Sequence, residues 1–135
     1  MDAIETTRRA VHAWAEALAA CDVDAVMATL DPACVWQNVP EPAATGHDEI
    51  RSLFARILAH ASDARVDVIS ETYQPGRGYF ERDDRFWIDD AEYNVICNGV
   101  FEVDVDSGLI TAVRDYCDLA RWRDELSQVA WSDGP

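Results

Sequence analysis

The sequence contains no lysine: all 11 of its bases are arginines, against 26 aspartates and glutamates, and the formal net charge is -15. A surface so poor in positive charge repels phosphate backbones and anionic lipid, which excludes nucleic-acid binding and polybasic membrane attachment and favours a neutral or cationic small ligand. Nor is there an apolar run near the roughly 20 residues that a membrane helix needs. The opening Met1-Asp2-Ala3-Ile4-Glu5 lacks the basic, then greasy, layout of a signal peptide, so the expected compartment is the cytoplasm. Cys21, Cys34, Cys97 and Cys117 stand far apart with no CxxC pair. That argues against zinc and against a disulfide-stapled domain, and we read them as reduced, small, mostly buried hydrophobes. His12, His47 and His60 fall in helix-like stretches without i, i+4 partners, so no metal is expected and they read as surface or helix-end residues.

What is present is enough apolar material for one core. A chain of 135 residues with 49% hydrophobic content is expected to form a single domain over residues 1–135. Ile4, Val11, Trp14 and Leu18 repeat at helical spacing and make the first twenty residues an amphipathic helix. Asp22 can cap a second helix over residues 23–30, stopped by Asp31-Pro32. A short strand over 34–39 ends in Pro40-Glu41-Pro42, and Ile50, Leu53, Phe54, Ile57 and Leu58 give a third, core-facing helix over about 48–61. From Arg65 the period becomes two, with strands expected over 65–72, 79–88, 93–105 and 110–119. Gly76 to Gly78, Asp89-Asp90 and Asp106-Ser107-Gly108 supply the turns, and Trp122, Leu126 and Val129 suggest a closing helix. Helices followed by a run of strands describe an α+β domain, a curved mixed or antiparallel sheet wrapped around N-terminal helices. The open end of such a sheet leaves a pocket for a small apolar ligand.

Several polar residues fall on apolar strand faces. Alternation groups Arg82 and Asp84 with Phe80, Phe86 and Ile88, sets Asp115 with Val113, Cys117 and Leu119, and puts Asn38 with Cys34 and Trp36. Asp118 shares the opposite parity with Arg114 and Tyr116. Unpaired burial of such groups costs several kcal/mol each, so those on the inner faces should pair with one another. A structural Asp-Arg-Asp bridge would account for one pair; three strands sending polar groups inward favour a functional pocket. Two carboxylates joined through one guanidinium can share a proton near neutral pH, one acting as acid and the other as base. No serine, cysteine or lysine nucleophile has a histidine partner, so the expected chemistry is proton-coupled addition, elimination or isomerisation. It needs neither a covalent intermediate nor a cofactor.

Three segments, Trp36-Gln37-Asn38-Val39-Pro40 with Gly46 after it, Glu81-Arg82-Asp83-Asp84, and Arg114-Asp115-Tyr116-Cys117-Asp118-Leu119, resemble the limonene-1,2-epoxide hydrolase family in kind, order and separation. Members are small enzymes on a cone-shaped fold like that of nuclear transport factor. The resemblance implies that Asp84 protonates the epoxide oxygen, that Asp115 takes a proton from the attacking water and that Arg82 bridges the two acids. Asn38 would help hold the water. Where the family usually has a tyrosine that also binds this water, the chain has Trp36, whose N–H donates but cannot accept. The reading is therefore an epoxide hydrolase that turns a small apolar epoxide into a vicinal diol. Isomerases and polyketide cyclases on the same fold are the alternative enzyme class, and a non-catalytic ligand-binding or dimerisation domain is the third. Trp87, Ile96 and Val100 lie on the parity opposite to the pocket, and family members are commonly dimeric, so a homodimer through the outer sheet face is expected.

Overall fold

Asp2 accepts a hydrogen bond from the Glu5 N–H at 2.8 Å and so starts α1, Ala3–Ala19, in the computed structural model, which describes residues 1–131. The last four positions of the expected domain lie outside the described residues. Val11, Trp14 and Leu18 of α1 are buried as their spacing predicts, whereas Ile4 is exposed because the buried face begins only at Thr7. Asp22 caps α2, Val23–Ala28, through the Ala25 N–H at 3.0 Å. This helix is shorter than its sequence suggests. Leu30 already pairs with Ile110, so β1 runs Leu30–Val39, and a register shift between Leu30 and Val35 accommodates Pro32. Sheet pairing has overridden local helix propensity here.

A two-residue strand β2, Ala44–Thr45, leads into α3, Gly46–His60. The strands β3 (Asp63–Gln74), β4 (Arg77–Ile88), β5 (Ala91–Asp104) and β6 (Leu109–Cys117) then complete one six-stranded sheet of order β2-β1-β6-β5-β4-β3. Only β1 and β6 run parallel; every other pair is antiparallel. The sheet is thus mixed and curved, with the helices packed on its inner side, as an α+β plan requires. Asp89 and Asp90 both take positive φ at the β4–β5 turn, as a two-residue hairpin demands. Contrary to the strand expected over 110–119, β6 ends at Cys117. Asp118 is instead the N-cap of α4, Leu119–Leu126, accepting from the Arg121 N–H at 3.0 Å.

The core lies between the sheet and α1, with Trp14, Trp36 and Phe101 at its centre and ring centroids 5.3–5.9 Å apart. Of the α3 stripe, Ile50 and Leu58 are buried, while Leu53, Phe54 and Ile57 are not. Those three face a cavity left open at one end of the sheet.

Candidate active site

Strand β4 contributes the first part of the site by simple alternation. Phe80, Arg82, Asp84, Phe86 and Ile88 all point inward and are buried, with Arg82 1% and Asp84 5% exposed. Asp115, 4% exposed, comes from β6, two strands away across β5. Arg82 therefore has to span β5 to meet it. Its Nη1 and Nη2 donate to Asp115 Oδ1 and Oδ2 at 2.7 Å each, and its Nε and Nη2 donate to Asp84 Oδ1 and Oδ2 at 3.2 Å each. A guanidinium is the one side chain with a planar fork able to serve two carboxylates this way.

The span is possible because the residue of β5 opposite Asp115 is Gly99. A Cβ built there would stand 2.9 Å from Arg82 Nη1, 3.1 Å from Asp115 Oδ1 and 2.6 Å from a carbon of the Phe101 ring. A glycine in the interior of a strand often marks such a close approach, and this one clears the path of the salt bridge. Under the guanidinium lies the Trp14 ring, 4.8 Å from Cζ to centroid, which adds a cation–π contact in a desolvated setting.

Burial acts on the acid of β4. It raises the Asp84 carboxyl from its ordinary 3.8 to about 6; Arg82 pulls it down and the charge of Asp115 pushes it up again. Burial also opposes the charge on Arg82, but Asp115 and Asp84 outweigh it and hold the guanidinium firmly protonated. The shorter pair of bonds goes to Asp115, so the positive charge is seated closer to that carboxylate than to Asp84.

Asn38 is the β1 partner of Asp115. Trp36 Nε1 lies 3.1 Å from the side-chain oxygen of Asn38, and an indole N–H can only donate. This bond fixes the amide orientation: Oδ1 is taken, and the Nδ2 hydrogens are what Asn38 offers to its surroundings. Trp36 itself is buried among Trp14, Phe54 and Phe101, and its N–H is committed to Asn38.

Arg82, Asp84, Asp115, Asn38 and Trp36 all line the same cavity of about 90 Å³. The rest of its wall is apolar: Trp14 and Leu18 from α1, Leu53, Phe54 and Ile57 from α3, and Leu119 with Trp122 from α4. Periodicity assigns the α3 residues to the core, because a stripe facing a cavity has the same spacing as one facing a core. Gly99 and the cross-strand position of Cys97 against Cys117 were also missed; the glycine within a β pattern was the available signal for the first. Among the described residues no group of three His, Cys, Asp or Glu side chains could hold a metal ion. The Trp14 Nε1 is buried without a hydrogen-bond partner, leaving a spare donor on a ring of the cavity wall.

The chain matches the limonene-1,2-epoxide hydrolase catalytic domain over residues 5–128. Among solved structures, an LEH-like epoxide hydrolase of M. tuberculosis is 29% identical at a TM-score of 0.75, covering 93% of this chain and 92% of its own. The BvnE pinacolase of Penicillium brevicompactum is 12% identical at 0.82, covering 94% and 92%. A putative SnoaL-like polyketide cyclase of Shewanella denitrificans is 10% identical at 0.76, covering 91% and 98%. The last two likenesses are of fold. No curated protein matches the chain at a significant level.

Proposed function

The chain belongs to the limonene-1,2-epoxide hydrolase family, and on that premise we propose that it is an epoxide hydrolase adding water to a small apolar epoxide in one acid–base step, without a covalent intermediate. The observation that carries this reading is the doubly bidentate Asp84-Arg82-Asp115 bridge, set in an otherwise apolar cavity beside a preoriented Asn38 amide. Asp84, raised to about 6 by burial, keeps its proton up to about pH 6 and can give it to the epoxide oxygen as the C–O bond breaks. A water molecule accepting from Asn38 Nδ2 and donating to Asp115 attacks the ring carbon, and Asp115 takes its proton. The product is a vicinal diol. One proton has then left Asp84 and one has arrived on Asp115, so transfer between the two acids restores the starting state. Arg82 keeps both carboxyls in place throughout.

We further propose that the domain works as a homodimer in the cytoplasm, joined through the outer sheet face, where Ile96 is 50% exposed. A monomer by light scattering at micromolar concentration would contradict the dimer.

A panel of terpene, alkyl and aryl epoxides in ¹⁸O-labelled water tests the reaction. The expected outcome is a diol carrying one labelled oxygen, with turnover falling at least about 1000-fold in Asp84→Asn and in Asp115→Asn. Double-bond migration without label would assign the acid pair to isomerisation. A biological activity that survives the double Asn variant would make the cavity a binding site without chemistry.

A further inference from the structure

Cys97 and Cys117 are distant in sequence but are direct cross-strand partners on β5 and β6. In an antiparallel pair, directly opposed residues project to the same face with Cα atoms about 4.5–5.5 Å apart, inside the range that a disulfide spans. Both thiols are free and both line the catalytic cavity, Cys97 buried and Cys117 half-buried. They also continue the row that begins at Arg82, which is the β4 partner of Cys97. We propose that Cys97 and Cys117 are a dithiol modification site in the wall of the catalytic cavity, closed to a cross-strand disulfide by a hydroperoxide.

Cys117 is the attacking sulfur, being the better exposed of the two. Cys97 donates its S–H to it, which lowers the Cys117 thiol below its ordinary value and raises that of Cys97; burial pushes both up. The Cys117 sulfur takes the distal oxygen of the peroxide as the O–O bond breaks. Water or an alcohol leaves with the thiol proton, and a sulfenic acid remains. The Cys97 sulfur then attacks the Cys117 sulfur, the S–OH bond breaks, and hydroxide leaves with the Cys97 proton as water. Two thiols have lost two hydrogens and two electrons, and the peroxide has been reduced by the same two electrons. A small hydroperoxide suits an apolar cavity with an open mouth better than a charged tripeptide disulfide would. The site stands on the register of β5 and β6 and is independent of the hydrolase reading.

The test treats the full chain in its native state with one to a few equivalents of hydrogen peroxide, blocks remaining thiols with iodoacetamide after unfolding, and maps the peptides by mass. The expected result is a linked Cys97–Cys117 peptide, a mass lower by two hydrogens, Cys21 and Cys34 alkylated, and full reversal by dithiothreitol. In Cys97→Ser the Cys117 sulfenic acid should persist and be trapped by dimedone, while in Cys117→Ser the buried Cys97 should remain a thiol. Wild-type protein with all four cysteines alkylated, with Cys117 driven to sulfinic acid unlinked, or with links to Cys21 or Cys34 overturns the proposal. The wild-type map decides the matter even if a serine variant folds poorly.

Discussion

Strand β4 carries two arginine-aspartate networks, one on each face and a single residue out of phase. On the inner face Arg82 joins Asp84 and Asp115, with side chains 1–7% exposed. On the outer face Arg85 joins Asp83 at 2.6 Å, Asp67 at 3.0 Å and Glu92 at 2.5 Å, yet its own side chain is 30% exposed. Asn94 adds a bond to Asp83 at 3.0 Å, and these neighbours cover an acid whose parity faces outward. Composition and pairing are nearly the same in the two networks. Water is the difference: apart from the covered Asp83, the outer ions reach solvent and are screened, so their pairing is weak, whereas the inner ions face low-polarity walls that amplify each charge and lift one carboxyl toward neutrality. The same residue types form a largely solvated lattice on one side of a strand and, on the other, the buried acid pair for which we propose acid–base chemistry.

The largest effect expected from breaking the inner network is on stability. Arg82→Met leaves two buried carboxylates without their counterion and should cost about 3–5 kcal/mol, read as a fall in unfolding free energy by urea titration. Adding Asp84→Leu and Asp115→Leu to that variant removes the stranded charges. The triple variant should recover most of the lost stability while remaining without turnover. If it stays as unstable as the single variant, the bridge is holding the strands together rather than holding acids for chemistry.

A smaller effect isolates the water. Asn38→Ala removes the amide that Trp36 orients and should lower turnover of a good epoxide by about 30- to 1000-fold, or 2–4 kcal/mol of transition-state stabilisation. Unchanged turnover would mean that the water is held elsewhere. Trp36→Phe frees the same amide to flip without removing it, so its loss should be the lesser of the two.

The pH profile sharpens the contrast without any mutation. The folded value of Asp84, about 6, exceeds its ordinary 3.8. Sign matters here: a raised carboxyl stabilises the fold fully below its unfolded value, and that contribution is lost as pH rises through 6. In the proposed mechanism turnover follows the same proton. kcat/KM of the free enzyme should decline about tenfold per unit above pH 6 as the acid ionises. A profile flat from pH 5 to 8 would remove Asp84 from the role of acid.

Much of this was legible beforehand because two-residue alternation is strict in β4, so the inward Arg82 and Asp84 could be read from Phe80, Phe86 and Ile88 alone. Asp115 needed the same rule on β6, and the resemblance to a known family then gave each acid a role. What could not be read was what lies across from what. The pairing of Cys97 with Cys117, and the passage of Arg82 over Gly99, depend on strand register, which turn geometry starts but which an irregularity between Glu102 and Val103 shifts within the β5–β6 pair. Boundaries failed where tertiary pairing competes with local preference. Leu30 left its helix for Ile110, and Asp118 stopped a strand by capping a helix. Periodicity also could not separate the cavity-facing Leu53, Phe54 and Ile57 from the core-facing Ile50 and Leu58, since all five share one helical stripe.

The smallest effect belongs to the outer network and is the control for the rest. Arg85→Gln removes a charge that Asp67, Asp83 and Glu92 all contact but keeps a donor for the most buried of them, Asp83. Its partners Asp67 and Glu92 are well solvated, so water takes over most of what the guanidinium supplied. Turnover should stay within about twofold of wild type, because screened surface pairs contribute little and none of these side chains touches the cavity. The decline of kcat/KM above pH 6 should nearly keep its position, since Asp84 owes its raised value first to burial and then to the charge of Asp115, against the pull of Arg82, while Asp83, the partner of Arg85, adds only the last of the upward pushes. A shift in that position, with turnover otherwise intact, would show that charge on the outer face reaches the inner acids through the sheet. The two faces would then be one electrostatic system rather than two.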